Sequence, residues 1–337
     1  MKIISPNVEL LRQEPGLEGI FKQIERAGRT CYKSEDKIDQ YSARVFVENM
    51  IESKHHAMLE HGTVYLTLNI KSKNRNKTVH YPWFYNNAIA RYEEVFSYVQ
   101  CLFLGNKYSV VKLHQNEDYT ETTMCITTNY RVIIENGWQE IMHEFLSEPT
   151  IYHERRISLK FTTNIGVTRE SNRHRTLINL FESSIAEEST RYCNYTKDKF
   201  DNKVTYCKPA WITQEEIDSY NERAVRGEFE GGFDGNDKLE ALSVYLNCLF
   251  VCQQSYNKLI KLGWKPQQAR EVLPLATKSE VVYTAFVHDW KHWFDLRLLG
   301  TTGKPHPNME QVAELAQKVL IENDLWDYIY NPDDKNP

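Results

Sequence analysis

Stretches with the two-residue period of a β-strand are interspersed along this chain with longer stretches that have the period of an α-helix. Residues 64–70 and 156–162 alternate apolar and polar side chains, as half-buried strands do. Residues 236–262 instead repeat apolar side chains every three or four positions, and Gly263 follows as a candidate C-cap. Strands mixed with helices in this way are typical of an α/β protein.

The remaining segments fit the same class. We expect a short strand at 122–127 and further helices over these ranges: 16–29, 38–54, 129–147, 266–272, 286–298 and 308–322. No linker rich in Gly, Ser or Pro divides the chain, so we predict one α/β domain over residues 1–330, followed by a polar tail at 331–337.

The overall charge argues against two classes of partner. The 337 residues include 41 Lys plus Arg and 46 Asp plus Glu, so the net charge is −5. Such a chain has no general positive field for nucleic acid or an anionic membrane. The start of the chain lacks the apolar core of a signal peptide, and no apolar run is long enough to span a bilayer. We therefore expect a cytoplasmic protein with no nucleic-acid or membrane partner.

The sequence lacks the motifs of several common sites. The seven cysteines form no CxxC pair, so we expect free thiols and no structural zinc. His55, Glu60 and His61 do not have the HExxH or HxxEH spacing of zinc sites, and we expect no metal there. Neither GxGxxG nor GxxxxGK[ST] occurs, which disfavours Rossmann and P-loop nucleotide enzymes.

A basic segment near the middle of the chain is the strongest indication of a ligand. Arg173 and Arg175 flank His174, and their guanidinium forks suit a pyrophosphate or the edge of a flavin. Ser189 and Arg191 follow across an apolar stretch and can hold a second anion. The simpler interpretation is a set of salt bridges on a solvated face. The nearby apolar residues favour a ligand, because guanidinium groups in partly dry surroundings need anionic partners.

Ordered motifs along most of the chain resemble those of the flavin-dependent thymidylate synthases. The signature of that family is Arg-His-Arg, seven residues and then Ser, with Ser-x-Arg continuing the substrate loop. Arg173-His174-Arg175 and Ser189-Thr190-Arg191-Tyr192 resemble its two parts. The other similar segments are 30–32, 55–62, 126–131, 187–200, 269–275, 289–297 and 306–307. Agreement of all these segments in sequence order is not expected by chance, and it leaves about 71–125 as a region rich in insertions.

Two serines compete for the position of the motif serine. Ser183 follows Arg175 after seven residues, whereas the Ser-x-Arg-Tyr context begins at Ser189. We choose Ser189, because residues 184–195 resemble the family's loop throughout. This choice makes roughly Ile178–Ser183 a six-residue insertion, which can displace the flavin-binding arginines from the substrate loop.

The resemblance implies a reaction and an assembly. It implies conversion of dUMP to dTMP, with methylenetetrahydrofolate as carbon donor, NADPH as reductant and FAD as the hydride carrier. It also implies a homotetramer with active sites shared between subunits, and a mixed α/β (α+β) fold with a central sheet flanked by helices.

The resemblance further implies roles for individual residues. Arg297 matches a catalytic arginine that would stabilise negative charge on the uracil carbonyls. The implied FAD contacts are His55, Arg173, His174, Arg175, Glu187 and His292, although a core histidine is an equal alternative for His292. The implied dUMP contacts are Glu170, Glu187, Ser189, Arg191 and Arg270. Phe286 and His288 depart from the family's pattern, because many relatives have polar flavin contacts at these positions.

Three functions stay open from the sequence. The first is a working thymidylate synthase of this family. The second is a related flavin and folate enzyme that gives a different 5-substituted product, such as hydroxymethyl-dUMP. The third is a dUMP-binding homologue in which the insertion at about Ile178–Ser183 has impaired catalysis.

Overall fold

The structure is a computed structural model that describes residues 1–85, 89–172, 183–226 and 237–330. Within those residues the strands are β1 (Lys2–Ile4), β2 (Asn7–Leu10), β3 (Thr63–Lys71), β4 (Thr78–His80), β5 (Ile89–Arg91), β6 (Val110–Gln115), β7 (Glu121–Asn129), β8 (Arg156–Asn164), β9 (Ser184–Glu187), β10 (Thr205–Cys207) and β11 (Lys278–Phe286).

The α-helices of the same residues surround these strands. They are α1 (Gly16–Tyr32), α2 (Ser42–Glu52), α3 (Tyr92–Leu104), α4 (Tyr130–Asn136), α5 (Gln139–Phe145), α6 (Ile165–Ser171), α7 (Gln214–Val225), α8 (Asp237–Lys261), α9 (Pro266–Ala269), α10 (Val287–Arg297), α11 (Pro307–Ile321) and α12 (Trp326–Tyr330). The mixed α/β class predicted from the sequence is confirmed.

The expected single central sheet was wrong, because the described strands form four separate sheets. The largest has the order β2-β8-β11-β9 and is antiparallel throughout, and a three-stranded sheet has the order β3-β7-β6. β1 pairs with β10, and β4 pairs with β5. β3 and β8 belong to different sheets, and α4 and α5 lie between β7 and β8 in the chain.

The four-stranded sheet is covered on both faces. One face carries Leu159, Phe161 and Val281, which pack with Trp290 of α10 and Val312 of α11 in one apolar core. The opposite face carries Val282 and Ala186, which pack against Ala27 of α1. Because successive side chains of a strand point to opposite faces, neighbouring residues of β9 and β11 belong to different environments.

A second core lies under the three-stranded sheet. Apolar side chains of β3 and β7, such as Leu66 and Ile126, pack with α1 to α5. The predicted helix over 129–147 is interrupted there. Gly137 has φ +70° and ends α4, and α5 begins at Gln139. A residue in this left-handed conformation is a usual helix end, and glycine adopts it without the steric cost of a Cβ.

β11 is the longest strand that sequence periodicity failed to predict. It lies between β8 and β9 and is buried along most of its length. A strand buried on both faces has no clear apolar–polar alternation, although its Val, Tyr, Thr and Phe residues are typical of strands. The charged Lys278 and Glu280 at its start obscured this tendency.

No α-helix within the described ranges has the length and apolar character needed to cross a membrane. The predicted tail at 331–337 lies outside the described residues.

Candidate functional site

The end of α6 is fixed by two polar contacts directly before the Arg-His-Arg segment. Asn164 caps the start of α6 by accepting a hydrogen bond from the backbone N–H of Val167. At the other end, Trp293 Nε1 donates to Ser171 Oγ at 2.9 Å and the Tyr283 hydroxyl donates to Asn172 Oδ1 at 2.9 Å. Contacts with β11 and α10 therefore fix the position of Ser171 and Asn172.

Arg297 and Glu170 form an ion pair between α10 and α6. Arg297 Nη1 donates to Glu170 Oε1 at 3.1 Å, and Nη2 donates to the backbone carbonyl of Glu170. The arginine side chain is only 5% exposed. Burial lowers the pKa of Arg297, and the Glu170 carboxylate opposes that change. Arg297 was predicted to be catalytic and Glu170 to bind the substrate. The two residues lie 127 positions apart in sequence and are in direct contact.

Glu187 lies at the end of β9, close to the same helix. Its Oε1 accepts hydrogen bonds from Thr168 Oγ1 at 2.7 Å and from Ser279 Oγ at 2.8 Å. Thr168 belongs to α6, two residues before Glu170, so α6 links Glu187 with the Arg297 pair. Among the described residues Glu187 makes no ion pair, and the partners of its carboxylate there are the two hydroxyl groups.

The segment that begins at Ser189 forms a tight turn next to Arg270. The Ser189 backbone N–H donates to the carbonyl of Cys31, and the Cys193 N–H donates back to the carbonyl of Ser189 at 2.9 Å. Arg270 Nη1 donates to Thr190 Oγ1 at 3.2 Å. This contact joins the Ser189 segment to Arg270, a second predicted dUMP contact, which comes from the 3₁₀ turn that follows α9.

Arg191 is exposed at the same turn. Its guanidinium lies 5.2 Å from the centre of the Tyr192 ring, and Tyr192 in turn contacts the ring of Tyr32. Among the residues that the structure describes, Arg191 has no carboxylate partner. It remains available for an anion at the surface of this turn.

The two predicted flavin histidines lie in different surroundings. His55 is exposed at the start of the 3₁₀ segment His56–His61. His292 lies within α10, and its Nε2 is buried with no hydrogen-bond partner. His292 and Arg297 are five residues apart, about 140° around the helix axis, so they belong to different faces of α10.

The remaining predicted flavin contacts, Arg173, His174 and Arg175, lie outside the described residues, and so does most of the insertion at about 178–183. Ser183, the last residue of that insertion, is described, and its hydroxyl is buried without a hydrogen-bond partner.

Comparison with protein families gives a match over the second half of the chain. The model of a family described as "Thymidylate synthase complementing protein" matches residues 141–323, which is more than half of the chain. The chain belongs to this family. It is the flavin-dependent family that the sequence motifs predicted, and the matched range contains Glu170, Glu187, Ser189, Arg270 and Arg297.

Solved structures give more distant similarities. One is a UMP/dUMP methylase PolB from Streptomyces cacaoi bound with 5-Br dUMP, with 16% identity and a TM-score of 0.38, covering 96% of this chain and 93% of that chain. The same methylase bound with 5-Br UMP gives 14% identity and a TM-score of 0.40, covering 98% and 95%. No curated protein sequence matches the chain.

A buried network of charges next to the Ser189 turn was not predicted from the sequence. Lys278 Nζ donates to Glu188 Oε2 at 2.6 Å and to Glu280 Oε1 at 2.9 Å. Glu280 also pairs with Lys33 at 2.9 Å and with Lys160 at 2.8 Å. We call Lys33, Lys160, Glu188, Lys278 and Glu280 the lysine–glutamate network.

Lys278 and Glu280 of the lysine–glutamate network keep their charges despite burial, whereas burial raises the pKa of Glu188. Burial lowers the pKa of Lys278, but Glu188 and Glu280 more than reverse this effect, so that the pKa is raised. Burial raises the pKa of Glu280, and the surrounding lysines outweigh it, so that the pKa is lowered. One feature of the sequence could have indicated this network: Lys278 and Glu280 are charged residues at alternate positions of an otherwise apolar strand.

Proposed function

We propose that this protein is an FAD-dependent thymidylate synthase, which converts dUMP to dTMP with methylenetetrahydrofolate as carbon donor and NADPH as reductant. The observation that carries the proposal is the contact of Arg297 with Glu170, next to Glu187. Residues from three separated segments thereby reach one region in a chain that belongs to the flavin-dependent family.

Arg297 is suited to stabilise charge on a pyrimidine. Its guanidinium has five N–H groups, of which two are engaged with Glu170 in the hydrogen bonds described above. The others can donate to a uracil carbonyl. A fixed cation in a partly dry site stabilises the negative charge that develops on the uracil carbonyl when a nucleophile such as hydride adds to the ring.

The Ser189 turn is suited to hold a phosphate. Arg270 and Arg191 supply guanidinium donors there, and the Ser189 hydroxyl makes no hydrogen bond with a described residue. Guanidinium forks and hydroxyl groups are the usual protein partners of a phosphate monoester. In this proposal they bind the phosphate of dUMP, and Glu170 and Glu187 accept hydrogen bonds from its sugar or base.

The described residues fit a flavin in one respect. His292 Nε2 is buried and has no hydrogen-bond partner, so it could form a hydrogen bond with a polar group of a bound ligand. His55 and His292 would contact FAD together with Arg173, His174 and Arg175. The cofactor would supply hydride transfer from NADPH to the pyrimidine, so no cysteine nucleophile is required.

The test is an absorbance spectrum and a turnover assay of the purified protein. We expect flavin absorbance that changes when dUMP is added, and methylation of dUMP only when methylenetetrahydrofolate and NADPH are both present. A colourless protein that does not take up added FAD would contradict the proposal. Mass spectrometry of the nucleotide separates dTMP from a hydroxymethyl product, and dUMP binding without turnover would indicate the impaired homologue.

The choice between the two serines is tested by a matched pair of variants. Ser189→Ala should weaken dUMP binding more than Ser183→Ala, because Ser189 stands beside Thr190 and Arg270. Calorimetric titration with dUMP measures the affinity of each variant. The reverse ranking would assign the motif position to Ser183.

A further inference from the structure

A cavity lies between the two larger sheets, away from the proposed active site. Its volume is about 210 Å³, and it is bordered by Arg12 and Gln13 after β2, by Thr63 and Tyr65 of β3, and by 155–158 at the start of β8. Arg156 and Asn164 stand at opposite ends of β8, about 26 Å apart along an extended strand. The cavity is therefore distant from α6, which begins after Asn164.

Three arginines line this cavity, and none has a carboxylate partner among the described residues. Arg12 donates to the side-chain carbonyl of Asn323, and the guanidinium of Arg155 lies 5.4 Å from the Tyr328 ring. Arg156 Nη1 donates to the backbone carbonyl of Glu60. Three permanent positive charges in one concave place, with no described carboxylate in direct contact with them, favour an anionic ligand.

Arg156 is the most buried of the three. Its Nη2 donates to Ser184 Oγ, and its guanidinium lies 5.4 Å from the ring of Phe286, yet its Nε is buried with no acceptor. Burial lowers the pKa of Arg156 to about 10, so the charge is held at a cost. A neighbouring anion would reduce this cost.

The acidic residues of the cavity do not cancel this charge. Glu14 is already paired with Lys22 at 2.7 Å, and Glu148 is exposed at the rim. Leu10, Leu11 and Ile157 supply apolar parts of the wall. A ligand that fits must combine an anionic group with an apolar body.

We propose that this cavity is a binding site for a small organic anion, either a carboxylate or a phosphate monoester, held by Arg12, Arg155 and Arg156. The site is separate from the proposed dUMP site and does not depend on the proposed reaction.

The test is calorimetric titration of the full chain with phenyl phosphate and with benzoate, and with benzyl alcohol as a neutral analogue. We expect saturable binding of at least one of the two anions and none of benzyl alcohol. Tighter binding of phenyl phosphate would identify a phosphate site, and the opposite order a carboxylate site. Absence of saturable binding by both anions would overturn the proposal.

Matched variants locate the binding. Arg12→Met and Arg155→Met should each weaken it about tenfold, as expected when one charged donor is lost. Arg44→Met removes an exposed arginine that does not line the cavity and should leave the affinity unchanged. Equal weakening by Arg44→Met would overturn the assignment to this cavity. We do not rely on an Arg156 variant, because Arg156 also supports Glu60 and Ser184.

Discussion

Two adjacent glutamates show how strongly position decides the role of a residue in this protein. Glu187 faces α6 and accepts hydrogen bonds from two hydroxyl groups. Glu188 faces the opposite side of the sheet, is completely buried and pairs with Lys278 at 2.6 Å. The residues differ because successive side chains of an extended chain point to opposite faces. Only Glu187 is therefore placed for a ligand near Arg297.

Arg297→Ala should lower turnover severely and leave FAD bound. The substitution removes the cation proposed to stabilise the pyrimidine, a loss of about 3 kcal/mol of transition-state stabilisation, or roughly a hundredfold in kcat. Steady-state kinetics and the flavin spectrum measure the two effects. Arg169→Ala is the matched control, because Arg169 is an exposed arginine of α6. Unchanged turnover in Arg297→Ala would show that its assigned role is wrong.

His61 should make the protein less stable in mild acid. Its Nδ1 contacts Thr284 Oγ1 at 2.9 Å inside the core, and its Nε2 has no partner. Burial, and then the charge of Arg156, lowers its pKa to about 3. The unfolded chain takes up a proton near pH 6.5, so stability is present above that pH and is lost as pH falls towards 3.

The expected loss from His61 between pH 7 and pH 5 is about 2 kcal/mol in the free energy of unfolding. Urea denaturation at the two pH values measures it, and His61→Gln provides the comparison, because glutamine does not titrate. The same pH dependence in both proteins would mean that His61 is not held neutral.

At the scale of elements, β11 organises the site. It pairs with β8 along its whole length and with β9 at its centre, it delivers Ser279 to Glu187, and it leads directly into α10 and Arg297. Its first residues also supply Lys278 and Glu280 to the lysine–glutamate network. That network connects β8 and β11 with Lys33, which follows α1. It also includes Glu188, which follows β9 immediately before the Ser189 turn.

Lys278→Met should destabilise the fold strongly. It leaves Glu188 buried without its cation, and breaking a buried ion pair costs about 3–5 kcal/mol. Urea unfolding measures this loss, and the double variant Lys278→Met with Glu188→Leu should recover part of it, because no unpaired carboxylate remains at that position. Lys22→Met breaks a much more exposed pair and should cost less than about 1 kcal/mol. Equal costs for Lys278→Met and Lys22→Met would contradict the structural role of the network.

At the scale of the whole molecule, one helix presents apolar residues to solvent. Val244, Cys248 and Val251 of α8 are exposed and lie at positions i, i+4 and i+7, so they share one face of the helix. An uncovered apolar face of this kind is typical of a surface that associates. It supports the proposal that the protein is a homotetramer.

Sedimentation equilibrium should therefore give about four times the chain mass of 39.7 kDa. Val251→Glu should shift the protein towards smaller species, because it places a charge in the apolar face. Val225→Glu changes a valine that is 88% exposed at the end of α7 and should not alter the assembly. A monomer in the unaltered protein would contradict the homotetramer.

Local periodicity was enough to predict β3, β8, α8, α10 and α11, because the apolar residues of each repeat at a regular spacing. It did not predict β9 and β11, nor other short elements such as α6 and β10. β11 is buried on both faces, and β9 is only four residues long. The break between α4 and α5 depends on the conformation of one glycine, which a helical pattern of apolar residues does not reveal.

The sequence by itself determined the mixed α/β class, the family and the residue types of the candidate site. Short motifs and the regular spacing of apolar residues depend only on residues that are close together in sequence. Only the tertiary structure decided which of these residues meet. Glu170 reaches Arg297, Arg270 reaches Thr190 and Glu188 reaches Lys278 through strand pairing and helix packing over 127, 80 and 90 positions of sequence. Such contacts depend on long-range burial, for which no local pattern of residues is sufficient.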